Sequence, residues 1–121
     1  MRVLEINSVC GIRSTGRICT DLADILKENG HECRIAYGRE AVPEKNKDIS
    51  YRIGSDTDVK LHALKARLFD SAAPGSKKAT ERLIEKTKEY NPDNIHLHNI
   101  HGYYLNIDIL FNYLADADKP V

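Results

Sequence analysis

Five cations recur near places where an extended segment gives way to a loop: Arg13 and Arg17, Arg39, and His98 with His101. The first loop, Ser8 to Gly16, contains no acid and leads into Arg17. Backbone N–H groups at a helix start, with the helix dipole behind them, favour an anion there. Ser14 or Thr15 can cap that helix or donate to a phosphate, and Gly11 and Gly16 allow a close backbone approach. No acid lies between Asn94 and Leu105, a stretch that holds His96, His98, Asn99, His101, Tyr103 and Tyr104. This chemistry suits a phosphorylated or hydroxyl-rich ligand. Plainer readings compete with it. The loop fits neither G-x-G-x-x-G nor G-x-x-x-x-G-K-[ST], so it specifies neither a dinucleotide site nor a P-loop. Arg17 can be a solvated helix residue, Cys10 a loop filler, and the two tyrosines a cover for the last helix. His96 and His98 share a strand face, with His98 at the tip. Two histidines at i and i+2 can share a zinc ion, and the run is similar to H-x-H-x-D-H. Its carboxylate position is Ile100, however, and no matching ligand set lies downstream. The expectation is therefore no metal; the rival is a metal-dependent hydrolase using His96, His98 and His101.

The elements that must position these groups follow from periodicity and punctuation. Residues 2–7 and 32–37 read as buried strands. Ile18, Leu22, Ile25 and Leu26 form one face of a helix between them, ended by Gly30 in a left-handed conformation. Such a unit gives two parallel neighbouring strands through a right-handed crossover. A polar loop spans 38–48, and Ile49, Tyr51 and Ile53 alternate as a short strand. Ser55 and Asp58 make a capping pair for a helix over 57–71 with Leu61, Leu64 and Leu68 on one face. Residues 72–75 break it, and Ser76 caps the next helix, which runs to Tyr90 with Ala79, Leu83, Thr87 and Tyr90 inward. A strand over 94–98, a loop over 99–105 and a helix on Ile107, Leu110, Phe111 and Leu114 complete the order. Pro120 then suits the first residue of a further strand, so the chain reads as a fragment of a longer one. The fold class is α/β: a Rossmann-like open, mainly parallel sheet with helices on both faces. Ligands of such sheets bind outside the carboxyl ends of the strands, which is where the cations fall.

Composition bounds the function. The 121 residues make one domain, 1–121. Eighteen basic and eighteen acidic side chains cancel, which argues against a nucleic-acid binder. No run of about 18 apolar residues is present, and Glu5 interrupts the apolar stretch a signal peptide would need. Three cysteines without a C-x-x-C pair read as free thiols in a reducing compartment, the cytoplasm. Cys19 and Cys33 fall at packing positions.

Two longer motifs carry a resemblance. Ser14-Thr15-Gly16-Arg17-Ile18, Asp21-Leu22-Ala23, Leu26 and Asn29-Gly30-His31-Glu32-Cys33 resemble the start of GT-B glycosyltransferases of the family 4 type. Pro92-Asp93-Asn94-Ile95-His96-Leu97-His98 is similar to that family's Pro-Asp-Ile-Ile-His-x-His strand, and Asn99 to Tyr104 resembles its bacterial capsular and exopolysaccharide branch, of the colanic-acid type. The resemblance implies the N-terminal, acceptor-side domain of a two-domain retaining enzyme. The donor is a nucleotide-sugar and the acceptor a glycan or lipid-linked glycan. No cofactor or metal is implied. The setting is the cytoplasm, with peripheral contact at the inner membrane face allowed. By match to the family motifs, His98 falls near the transferred sugar and Gly16 near the donor phosphates, with Arg17, Ser14 and Thr15 beside it. Arg13, Arg39, His101 and Tyr103 fall on the acceptor side. Arg13 and Ser14 stand where the family usually has two glycines, so side-chain contacts would replace close backbone approach. The remaining alternative is a stand-alone Rossmann-like module that binds an anion or nucleotide.

Overall fold

A computed structural model describes residues 1–69 and 76–121. Four parallel strands form one open sheet in the order β3-β2-β1-β4. They are β1 (Arg2–Asn7), β2 (Glu32–Tyr37), β3 (Ser50–Arg52) and β4 (Asn94–Leu97). The helices are α1 (Arg13–Glu28), α2 (Asp56–Phe69), α3 (Lys77–Tyr90) and α4 (Ile107–Asp116), with a 3-10 turn at Glu44–Ile49. The expected α/β architecture is present, with helices on both sheet faces. Leu4, Ile6, Ala36 and Ile95 face one core with Val59, Ala79, Leu83 and Leu110 from the later helices. Val3, Cys33, Ile35 and Tyr37 face the other with Cys19 and Ala23 of α1. Burying each large apolar side chain contributes about 1.5–3 kcal/mol. After α4 the chain returns to the outer side of β4, where the Ile95 N–H donates to the Pro120 carbonyl at 2.9 Å.

Several expected faces are rotated. Ile18 and Ile25 are half exposed, and α1 instead buries Gly16, Cys19, Thr20 and Ala23. The same 3.6-residue period runs through small residues, which let the helix sit close to the sheet. A Cβ on Gly16 would lie 3.0 Å from Val9 Cγ2 and 3.1 Å from the Gly11 nitrogen. On α2, Leu61, Leu64 and Leu68 are about half exposed or more, while Val59 and His62 are buried. The inward stripe starts at the first turn and takes in a histidine, so the leucines fall on the next face. Phe111 of α4 is likewise exposed beside buried Leu110. Ser55 and Asp58 do form the expected cap, with the Asp58 N–H donating to Ser55 Oγ at 3.3 Å. Ser76 makes no side-chain cap; its hydroxyl donates to the Tyr103 carbonyl at 3.3 Å and lies 3.0 Å from His62 Nδ1. The expected helix breaker at 72–75 and the last residues of the 57–71 helix lie outside the described residues.

Candidate functional site

The strand order reverses beside β1. The first crossover runs from β1 through α1 to β2; the later one carries the chain from β3 through α2 and α3 back to the other side of β1. Loops leaving β1 and β4 therefore depart toward opposite sheet faces, the position where open α/β sheets bind ligands. Asn7, fully buried at the tip of β1, holds these two loops together. Its side-chain amide donates to the Val9 carbonyl at 2.8 Å and to Thr15 Oγ1 at 3.3 Å, while Oδ1 accepts from the Asn99 N–H at 3.0 Å. The His98 N–H donates to the Ile6 carbonyl at 2.9 Å and extends the β1–β4 ladder to the strand tip.

The third loop is tied in as well. The Gly38 and Arg39 N–H groups both donate to the Ser8 carbonyl, at 3.2 and 2.8 Å. Gly38 leaves room for the buried Tyr104 ring, whose Cγ would lie 2.0 Å from any Cβ there. Tyr104 Oη donates to the Asn99 carbonyl at 2.6 Å, and the Arg39 stem lies against Gly102. The loops following β1, β2 and β4 thus share one edge.

The expected site residues occupy that edge in different states. Arg17 is exposed on α1, Ser14 is exposed, and Thr15 is half-buried and bonded to Asn7. Neither Ser14 nor Thr15 caps α1: the helix begins at Arg13, its cap position is Ile12, and no side chain caps it. Its first turn carries no acid. Gly16 is buried and serves helix approach, because its open side is filled by Val9 and the loop backbone. Arg13 is not a free cation. Its Nε and Nη2 donate to the two Glu40 oxygens at 2.7 and 2.6 Å, which holds the Glu40 carboxyl below its ordinary range. Both residues have positive φ, 56° and 64°; that conformation turns two loops toward each other, and local sequence gives no sign of the pairing. Arg39 is exposed, His101 and Tyr103 are exposed in the β4–α4 loop, and Tyr103 meets His62 edge-on at 5.6 Å.

Sequence reasoning missed Glu5. It lies on β1 with 1% of its surface exposed, on the α1 side of the sheet, in register with His96. Glu5 Oε1 is 3.7 Å from His98 Nε2. Neither carboxyl oxygen nor His98 Nε2 has a nitrogen or oxygen hydrogen-bond partner among the described residues; the weakly donating Cys19 thiol lies beside Glu5. Burial pushes the Glu5 carboxyl up to about 7, with the neighbouring Cys19 thiol pulling slightly the other way. Burial also pushes His98 below its ordinary value, and His96 adds to that. At 3.7 Å the two would form an ion pair only with Glu5 ionised and His98 protonated; both shifts oppose that state. The signal in the sequence was an acid within an otherwise apolar strand, Val3-Leu4-Glu5-Ile6. The three thiols lie beneath α1 in the same core, and burial with the nearby Glu5 raises all of them, Cys10 to about 11 and Cys33 to about 12.

Comparison with protein-family models, with curated proteins and with solved structures returned no match to this chain. Among the described residues, no helix is long and apolar enough to cross a membrane.

Proposed function

We propose that the chain forms the acceptor-side domain of a retaining GT-B glycosyltransferase. It would act in bacterial capsular or exopolysaccharide synthesis, moving a sugar from a nucleotide-sugar to a glycan or lipid-linked acceptor. The observation that carries the reading is the parallel pairing of β1 with β4, which sets the start of α1 and the His98 strand tip at one sheet edge. Glycosyl transfer needs stabilisation of the departing diphosphate and placement of an acceptor hydroxyl. The uncapped, acid-free start of α1 supports the first, with Arg17, Ser14 and Thr15 beside it and Gly16 letting the helix close on the loop. Arg39, His101 and Tyr103 line the other loops and suit a hydroxyl-rich acceptor. Arg13 contributes as an ion pair with Glu40 rather than as a lone charge. His98, at the β4 tip, takes the donor sugar. The nucleotide-sugar is a co-substrate, and a lipid-linked acceptor would bring the enzyme to the inner membrane face.

The test is sugar transfer by the product of the complete gene, with nucleoside diphosphate release as the readout and His98→Ala as the variant. Transfer should fall by about 10²-fold or more, the scale for losing a well-placed polar group, beyond any loss of folded protein read from the unfolding midpoint. Full turnover by the variant, or no transfer with any nucleotide-sugar, overturns the reading.

A further inference from the structure

Glu5, His96 and His98 converge from two neighbouring strands. One ligand-capable atom from each lies within 4.8 Å of the other two. Four-coordinate zinc, with bonds of about 2.0–2.1 Å, sets its ligand atoms about 3.4 Å apart. The Glu5–His98 separation of 3.7 Å is close to that edge, and the two imidazoles lie 4.2 Å apart, centre to centre. The register explains the convergence: Glu5 sits opposite His96, and His98, two residues on, shares that face.

A second observation points to a ligand independently of this spacing. Both Glu5 oxygens and His98 Nε2 are buried with no nitrogen or oxygen hydrogen-bond partner among the described residues, and Glu5 has only the weakly donating Cys19 thiol beside it. Unpaired buried polar atoms cost about 1–3 kcal/mol each, and here three of them cluster at one place. A cation among them would satisfy all three at once. From these observations we infer that Glu5, His96 and His98 form a binding site for a divalent transition metal of the zinc type. Two imidazoles select zinc, cobalt or iron over magnesium and calcium, which prefer all-oxygen shells. One carboxylate and two histidines make a three-ligand set, as in catalytic zinc sites, with a fourth position for water or a ligand oxygen. His96 is exposed and gives the ion a route in from solvent. The carboxylate absent at Ile100 is thus supplied by β1, more than ninety residues earlier, and His101 is outside the cluster. This inference does not rest on the transfer reading and competes with it for His98, whose Nε2 would face the ion rather than the donor sugar; His96, which the transfer reading does not use, separates the two.

The experiment titrates the purified chain with Co2+, followed by its visible absorption, and then displaces it with Zn2+. One equivalent should bind with the strong colour of tetrahedral cobalt and be displaced by one equivalent of Zn2+. Glu5→Gln, His96→Ala and His98→Ala should each weaken binding by at least about tenfold, whereas His31→Ala and His101→Ala should not. His96 is exposed, so its variant tests the site even if a substitution at Glu5 disturbs folding. Absence of saturable binding, the weak colour of octahedral cobalt, or unchanged affinity in His96→Ala and His98→Ala overturns the site and leaves Glu5 and His98 as a buried pair without a metal.

Discussion

Replacing Glu5 by glutamine should make the metal-free protein more stable at pH 8 and remove a specific part of its pH dependence. The carboxyl is raised from its ordinary 4.5 to about 7 by burial. Below about pH 4.5 it is protonated in both folded and unfolded chains, so folding carries no ionisation penalty. Between 4.5 and 7 the unfolded chain releases the proton while the folded chain keeps it, so stability falls as the pH rises. Above 7 the penalty is complete. A rise of about 2.5 pH units corresponds to about 3 kcal/mol, and with 1% exposure solvent screening reduces this little. The groups facing Glu5 do not reverse the sign. The Cys10, Cys19 and Cys33 thiols are raised and stay neutral, burial lowers His98 and so disfavours the protonated form that would pull the Glu5 carboxyl down, and His96 is open to solvent. For a 121-residue chain about 3 kcal/mol is worth roughly 12 °C in the unfolding midpoint. The assay is thermal unfolding by circular dichroism, with a chelator present, for both proteins at pH 4 and pH 8. Any intrinsic difference between a buried amide and a buried carboxylic acid appears at both pH values, so the change in the difference isolates the ionisation. Parallel pH curves for the two proteins would refute the reasoning.

Two further outcomes bear on how this edge of the sheet is assembled. Gly38→Ala should destabilise the chain by about 1–3 kcal/mol in urea unfolding, because its methyl group would overlap the buried Tyr104 ring; combining it with Tyr104→Ala should give a strongly non-additive cycle. Asn7→Ala should cost about 2–4 kcal/mol by losing its bonds to both loops, and amide exchange should speed up at Asn99 before it does in β2.

The order of the described strands and α-helices is legible in the sequence because of apolar periodicity, with Gly30 and Pro92 marking the ends of α1 and α3; the 3-10 turn at Glu44–Ile49 is not. The gathering of three loops at one edge also follows, once parallel strands are expected. Side-chain facing is less legible. In α1 the buried stripe is Gly16, Cys19, Thr20 and Ala23, residues whose small size matters more than their hydropathy, while Ile18 and Ile25 carry the stronger apolar signal outward. In α2 a histidine occupies the inward face. The charges of the site depend on pairings remote in sequence. Arg13 meets Glu40 across 27 residues, and Glu5 meets His98 only because β4 inserts beside β1. Neither can be read from local spacing, so the cationic edge read from sequence includes one neutralised arginine and omits a buried acid.

The placement of Cys10, Cys19 and Cys33 has a practical consequence. All three sulfurs are buried and all resist ionisation near neutral pH, and the thiolate is the reactive form. An alkylating reagent can reach Cys10 and Cys19, the two with almost no exposed surface, only when α1 lifts from the sheet. The rate of modification therefore clocks a partial opening of the molecule, and any ligand that settles at the head of α1 should slow that clock without touching a cysteine.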